Sequence, residues 1–222
     1  MRAFFSWSGG KDSMLALHRA LDAGVQVEAL LAMFDETGTR TRSHGVPLAL
    51  MQAQADALGL PLVAASATWT DYEAVFTAQL RAFAAAGITH GLFGDIDLQP
   101  HRDWEEAVCA AAGLQAVLPL WQQPRRALVD DLLALGYRAR VVCVDARWLG
   151  AAHCGRVFDA EFLASLPPGV DACGENGEFH SFVFDGPRFA HPVAHQVVGV
   201  HELRPAAPAP GHYFMAELAA AA

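Results

Sequence analysis

A six-residue glycine loop limits the folds open to this chain more than any other feature. The loop is Ser8-Gly9-Gly10-Lys11-Asp12-Ser13, and Lys11 is the single lysine of the 222-residue sequence. An apolar run at residues 3–7 precedes the loop, and apolar residues at helical spacing follow it. Adjacent glycines let successive N–H groups converge on an anion at the positive end of the helix, where Lys11 adds a full charge. The loop therefore predicts a phosphate site between a strand and a helix, and the alternative is a tight turn capped by Asp12 or Ser13.

Strand-like and helix-like segments alternate from residue 27 to residue 144. The predicted strands are residues 27–33, 62–65, 90–93, 115–117 and 139–144, and the predicted helices are residues 46–58, 72–86, 104–112 and 127–135. This order predicts an α/β fold with a mainly parallel sheet and helices on both faces. Ligands of such sheets bind at the carboxyl ends of the strands, where Ser8, Phe34, Gly94 and Asp95 follow strand candidates.

The alternation weakens after about residue 145. A short helix is expected at residues 158–166 and extended segments at 179–184 and 193–200, while residues 205–210 and the alanine-rich end are expected to be mobile, unless that end forms a helix beginning near Phe214. We therefore expect a nucleotide-binding domain over 1–124 and a smaller α+β lobe over 125–222. An alternative is that the first sheet continues to residue 144.

Composition excludes several classes of protein. The formal charge of −9 argues against a broad nucleic-acid surface, and the four cysteines lie too far apart in sequence for a zinc knuckle or a disulfide framework. No apolar run reaches the roughly 20 residues that cross a bilayer, and the first residues lack a cleavable signal pattern. We therefore expect a cytoplasmic protein that does not bind a membrane.

Four sequence blocks together resemble a known family. Residues 8–13 resemble the pyrophosphate loop (PP-loop) of the ATP pyrophosphatase superfamily. Gly94-Asp95-Ile96, residues 101–105 and residues 174–180 resemble the diphthine–ammonia ligase family and its bacterial relatives. The resemblance implies an adenine nucleotide alpha hydrolase-like, Rossmann-like fold that splits ATP between its α and β phosphates.

Site residues are expected in two groups. The nucleotide group, which would bind ATP, consists of Ser8, Gly9, Gly10, Lys11, Asp12, Ser13, Phe34 and Gly94. Asp12 and Asp95 are the candidate Mg²⁺ ligands because this ion prefers hard oxygen ligands, and their structural alternatives are a helix cap and a turn residue.

The acceptor group follows mainly from the resemblance, which places residues 174–180 in the acceptor-substrate region. Its members are His44, Arg102, Glu105, Glu175, Gly177, Glu178 and His180. Lys11, Asp95, Glu175 and Glu178 are the expected catalytic residues. The alternatives are a surface ion pair for Arg102 and Glu105, and a structural histidine at position 180.

These expectations describe an amide-forming ligase. A carboxylate would attack the α phosphorus of ATP, pyrophosphate would leave, and ammonia would then displace AMP. The acceptor would be diphthine on a translation elongation factor if the source is archaeal or eukaryotic, and another carboxylate otherwise. Two alternatives remain, a PP-loop enzyme of the tRNA-thiolation type and a non-catalytic ATP- or AMP-binding module. The sequence does not decide whether the chain forms a homo-oligomer.

Overall fold

The computed structural model describes residues 1–205 and 211–221, and its first part is a parallel α/β layer. Five strands form a sheet in the order β3-β2-β1-β4-β5, and every neighbouring pair is parallel. The strands are β1 Arg2–Ser6, β2 Gln26–Phe34, β3 Leu62–Ser66, β4 His90–Leu92 and β5 Gln115–Val117. The helices are α1 Lys11–Asp22, α2 Leu48–Leu58, α3 Tyr72–Ala85, α4 Gln99–Ala111 and α5 Arg125–Ala134. The predicted fold class is confirmed.

The central strand β1 is buried on both faces because its side chains alternate between two apolar cores. Phe4 stacks on Phe83 of α3, with 4.9 Å between ring centroids, in the core beneath α3 and α4. Phe5 belongs to the opposite core, which contains α1, α2 and the second part of the chain. Both faces of the sheet are therefore covered.

The second part of the chain is an antiparallel sheet. Its strands are β6 Arg138–Asp145, β7 Val157–Phe158, β8 Phe179–Asp185, β9 His195–Leu203 and β10 Tyr213–Ala220. They run in the order β7-β6-β10-β9, with β8 also paired to β6, and the short helix α6 spans Ala160–Ala164. The alternative that the first sheet continues to residue 144 is wrong, because β6 pairs only with strands of this second sheet among the described residues.

The alanine-rich end of the chain is a strand and not a helix. Tyr213–Ala220 pairs along its whole length with β9, and Ala216 and Leu218 are buried on one face. The expected helix from Phe214 is wrong because this pairing and burial override the helix propensity of alanine. Of the segment 205–210, residues 206–210 lie outside the described residues. No helix among the described residues is long and apolar enough to cross a membrane.

Hydrogen bonds attach the second sheet directly to the glycine loop. The Val183 N–H of β8 donates to the Gly9 carbonyl at 2.9 Å. Gln54 of α2, which is completely buried, donates to the carbonyls of Gly9 at 3.0 Å and Val183 at 2.6 Å. Its Oε1 accepts from the Trp7 indole N–H at 2.7 Å. Gln54 therefore connects β1, the loop and β8.

We predict that Gln54→Ala lowers the free energy of unfolding by on the order of 3 kcal/mol, because it leaves buried polar groups unpaired and opens a cavity. Gln52→Ala is the matched control, since Gln52 is exposed on the same helix and its side chain bonds only to Asp56 among the described residues. Urea denaturation of both variants measures the effect. Equal stability of the two variants would contradict the role given to Gln54.

Candidate functional site

A cavity of about 680 Å³ lies at the carboxyl ends of β1, β2 and β4 and extends to the start of β8. This is the edge at which parallel α/β sheets bind ligands. Most of the predicted site residues line it, namely Ser8, Lys11, Asp12, Ser13, His44, Gly94, Asp95, Glu175, Gly177 and His180. The structure therefore brings the two predicted groups, nucleotide and acceptor, to one cavity.

The loop at the start of α1 has the geometry of an anion site. Gly9 has a φ of 75°, in the left-handed region that glycine enters without strain. The Ser8 and Ser13 hydroxyls share a hydrogen bond of 2.7 Å across the turn, and the Gly10 N–H donates to the Ser8 hydroxyl at 3.2 Å. None of the described side chains caps α1, so the alternative of a turn capped by Asp12 or Ser13 is wrong. The positive end of the helix therefore faces the cavity.

Lys11 places a buried positive charge at this loop. Its residue is 6% exposed, and Nζ lies 2.6 Å from Asp12 Oδ2 and 5.6 Å from the centre of the Phe179 ring. Burial alone would lower the pKa of Lys11, but the neighbouring carboxylate of Asp12 outweighs burial and raises it above the ordinary value. Lys11 is therefore a permanent cation in the cavity wall.

Asp95 lines the same cavity from the loop that follows β4. A Cβ atom on Gly94 would lie 3.0 Å from the backbone of Ser13, so only glycine allows β4 to approach α1 this closely. Burial favours a higher pKa for Asp95, but hydrogen bonds from His101 (2.7 Å) and Glu105 hold that pKa below its ordinary value. Asp95 is therefore an ionised carboxylate beside Asp12.

Glu105 stands behind Asp95 and does not line the cavity. Its residue is 4% exposed, and burial, followed by the neighbouring charge of Asp95, raises its pKa to about 10. Glu105 is therefore a neutral acid at pH 7. The expectation that Glu105 binds substrate is wrong because this side chain lies on the buried face of α4 and outside the cavity lining.

Arg102 also lies outside the cavity lining. Its Nε donates to Glu106 at 2.7 Å, one turn further along α4, and its guanidinium lies over the Trp121 ring at 4.9 Å. Arg102 therefore forms a surface ion pair, which was the structural alternative for this residue. Its partner is Glu106 and not Glu105.

The loop of residues 171–178, called here the acceptor loop, carries two glutamates with different environments. Glu175 lines the cavity, and its pKa is raised to about 7 by burial first and by the negative charge of Asp12 second. Glu178 is 1% exposed and lies outside the lining. It accepts hydrogen bonds from the N–H of Asp171 and from both the N–H and the side-chain amide of Asn176, at 2.9–3.2 Å.

These bonds correct the expectation for Glu178. A carboxylate that is saturated by donors of its own loop is not available to a ligand, so Glu178 shapes the loop and leaves Glu175 as the acidic group that faces the cavity.

Two neighbouring histidines, His44 and His180, line the cavity next to Gly10. The rings of His44 and His180 lie 4.7 Å apart. His44 Nδ1 must carry a proton because it donates to the Ser181 carbonyl at 2.8 Å. Burial lowers the pKa of His44 to about 4 and that of His180 to about 3, so both are neutral polar walls at pH 7.

Phe34 is the remaining correction among the predicted residues. It is completely buried in the apolar core, whereas Met33 and Leu31 line the cavity. The side chains of a strand alternate between its two faces, so the neighbours of Phe34 reach the ligand side.

Several cavity residues were missed because the sequence gives no local signal for them. Arg42 and Trp69 lie at the end of the cavity near β2 and β3, with the guanidinium 4.7 Å from the Trp69 ring centre. Tyr72 stacks beside Trp69 at 6.2 Å. His101, which bonds to Asp95, is the exception. It lies in residues 101–105, one of the four blocks that resemble the family, and could have been selected as a candidate.

Two protein-family models match the chain. The model described as diphthamide synthase N-terminal domain covers residues 1–116, and that described as diphthamide synthase C-terminal domain covers residues 124–201. Their division between residues 116 and 124 lies between β5 and α5.

Curated relatives carry the name diphthine–ammonia ligase. The chain is 33% identical to that of Homo sapiens over 89 residues, which are 38% of this chain and 33% of the relative, and 35% identical to that of Danio rerio over 89 residues, 38% of this chain and 35% of the relative. The aligned part thus spans about a third of these relatives.

A solved structure described as a predicted subunit of tRNA methyltransferase from Methanocaldococcus jannaschii is similar with a TM-score of 0.45 and 16% identity, over 64% of this chain and 80% of that one.

The two family models cover most of the chain, and the resemblance read from the sequence is confirmed. The chain belongs to the diphthamide synthase family.

Proposed function

We propose that this protein is an ATP-dependent, amide-forming ligase that adenylates a carboxylate and then transfers ammonia to it. One observation carries the proposal. A single cavity contains both a helix-end anion loop with a buried lysine and an acidic side chain, Glu175, on the acceptor loop. ATP held by its phosphates and the acceptor can therefore react with each other inside one cavity.

The anion loop suits the phosphates that leave. The N–H groups of Asp12 and Ser13 in the first turn of α1 and the Lys11 ammonium would hold the β and γ phosphates. A carboxylate oxygen of the acceptor would attack the α phosphorus, and the bond from that phosphorus to the bridging oxygen of the β phosphate would break. Lys11 stays protonated throughout, so it can stabilise the charge that develops on pyrophosphate.

Asp12 and Asp95 fit a magnesium ion that is held partly by phosphates. Both carboxylates line the cavity, and the described residues contain no cluster of three or more potential metal ligands. Mg²⁺ usually binds to proteins through one or two carboxylates together with phosphate and water oxygens. When bound, the ion would neutralise phosphate charge, and Asp12 and Asp95 would hold it.

The aromatic end of the cavity suits the base of ATP. Trp69 is half exposed in the cavity wall, and Arg42 Nε is a buried polar atom without a partner in the described residues. A purine has a flat face that can stack on Trp69 and acceptor nitrogens that can bond to Arg42. Met33 would border the same base.

Glu175 suits the second half of the reaction. Its pKa of about 7 allows it to take a proton near neutral pH. Ammonia would attack the acyl carbon, and ionised Glu175 would accept the proton that the attacking nitrogen loses. The bond from that carbon to the AMP oxygen would break, which leaves an amide and AMP.

The names of the relatives suggest the acceptor. The curated relatives are called diphthine–ammonia ligases, so we propose diphthine as the acceptor in a host that makes it and another carboxylate elsewhere. Sulfur transfer is disfavoured by Cys173, the cysteine nearest the loop, whose Sγ lies 3.6 Å from Asp12 Oδ1. Burial, together with other effects, raises its pKa to about 12, so the reactive thiolate is scarce.

We predict that Lys11→Ala folds but loses at least about 100-fold of the ATP turnover, because a preorganised positive charge at the leaving group is removed. ATP, Mg²⁺ and ammonium are incubated with diphthine-carrying elongation factor or pools of small carboxylates, and the nucleotides are resolved. The expected products are AMP and pyrophosphate. Arg126→Ala is the control, since Arg126 is exposed and, within the part of the chain that the structure describes, its side chain bonds only to Asp130. Products of ADP and phosphate would reject the adenylation step, and tight ATP binding without turnover would favour a non-catalytic module.

We predict that Glu175→Gln keeps ATP affinity and lowers amide formation by about 100-fold or more, because the base is removed. In the unchanged protein, activity at constant free ammonia should rise as pH passes about 7, since a base works in its ionised form. The variant should lack this rise. Glu161→Gln is the control because the Glu161 side chain is 88% exposed. An unaltered pH profile in Glu175→Gln would assign the proton transfer to another group.

A further inference from the structure

We propose that Arg125 is a positioning residue that ties the acceptor loop to the loop after β4, so that Glu175 is held opposite Asp95. This proposal rests on the proposed function only for its catalytic consequence. Arg125 begins α5, directly after the segment that joins the two parts of the chain.

Arg125 binds both loops at the same time. On the nucleotide side, its Nε and Nη2 donate to the two oxygens of Asp97 at 2.7 and 2.6 Å, a bidentate pair. On the acceptor side, its Nη1 donates to Asp171 Oδ2 at 2.6 Å and to Asn176 Oδ1 at 3.1 Å. One guanidinium therefore joins two segments that are 74 residues apart, from Asp97 to Asp171.

The two carboxylates bound by Arg125 are directly connected to the site residues. Asp97 lies two residues after Asp95 on the same loop. Asp171 accepts the backbone N–H of Glu175 through Oδ2, at 3.3 Å. A continuous set of bonds thus runs from the Asp95 loop through Arg125 and Asp171 to the backbone of Glu175.

Arg125 and Glu178 act on different properties of the acceptor loop. The bonds of Glu178 lie within the loop and fix its internal shape. Those of Arg125 reach outside the loop and fix where the loop stands against the nucleotide side. Without Arg125 the loop would keep its shape but change its distance from Asp95, and catalysis is sensitive to misplacements of about 1 Å.

The environment of Arg125 makes these bonds stronger than ordinary surface pairs. The side chains of Arg125 and Asp171 are only 25% and 17% exposed, whereas the neighbouring pair of Arg126 and Asp130 is 68% and 55% exposed. Partly buried bidentate pairs are worth more than exposed ones, which contribute little. Arg126 is therefore a matched control for Arg125, with the same charge on the same helix.

Hydrogen–deuterium exchange of residues 171–178 tests the tie without any requirement for activity. We expect exchange to be about tenfold faster in Arg125→Gln and faster in Asp97→Asn, but unchanged in Arg126→Gln. The Asp97 variant is decisive, because among the described residues Asp97 is joined to the acceptor loop only through Arg125. Unchanged exchange in Asp97→Asn would overturn the tie, and this variant still tests it if Arg125→Gln does not fold.

Steady-state kinetics test the catalytic consequence. Arg125→Gln should keep its ATP dissociation constant within about twofold and lose at least about tenfold in kcat, since the nucleotide loop is intact and the acceptor side is displaced. Arg125→Lys should recover part of the loss, because one charge remains while the bidentate geometry is lost. A loss confined to ATP affinity would overturn the positioning role. Failure of the adenylation assay with altered exchange would reject the proposed function and leave the tie intact.

Discussion

The hydrogen bonds between β8 and the glycine loop are the constraint on which the rest of the site depends. The loop must expose its N–H groups to the cavity, yet a glycine turn is intrinsically loose. Val183 and Gln54 hold the Gly9 carbonyl from behind, and the Ser181 hydroxyl accepts the Lys11 N–H at 3.1 Å. The second sheet therefore supports the loop that we propose binds phosphate, and it brings the acceptor loop, which precedes β8, to the same cavity.

This arrangement gives neighbouring carboxyl groups different protonation states. Asp95 is held ionised, while burial behind it keeps Glu105 neutral. Glu175, at the opposite wall, has a pKa of about 7 because burial and Asp12 oppose its ionisation. Environments that separate the pKa values of nearby acids allow one to bind a cation and another to transfer a proton. The buried positive charge of Lys11 balances part of the negative charge of these carboxylates. In the proposed reaction it would also attract the phosphates of ATP.

The sequence predicted the features that depend on local pattern, and it failed where distant partners decide. The parallel sheet, the loop and its lysine follow from hydrophobic periodicity and glycine chemistry. The strand at Tyr213–Ala220 was missed because its partner β9 determines it, against the propensity of alanine. Glu105 was assigned to the acceptor site because the resemblance placed it there, and the sequence alone does not show that α4 buries this side chain. No local pattern marks Arg125, because its partners Asp97 and Asp171 are remote in sequence.

A structure of the protein with Mg²⁺ and α,β-methylene ATP tests most directly the claim that one cavity serves both phosphate binding and acceptor chemistry. The account predicts that the β and γ phosphates lie on the first turn of α1 and on Lys11 Nζ. It also predicts that Asp95 is within reach of the ion and that the α phosphate is open toward Glu175. A triphosphate bound away from the loop, or an α phosphate sealed off from the acceptor loop, would contradict it.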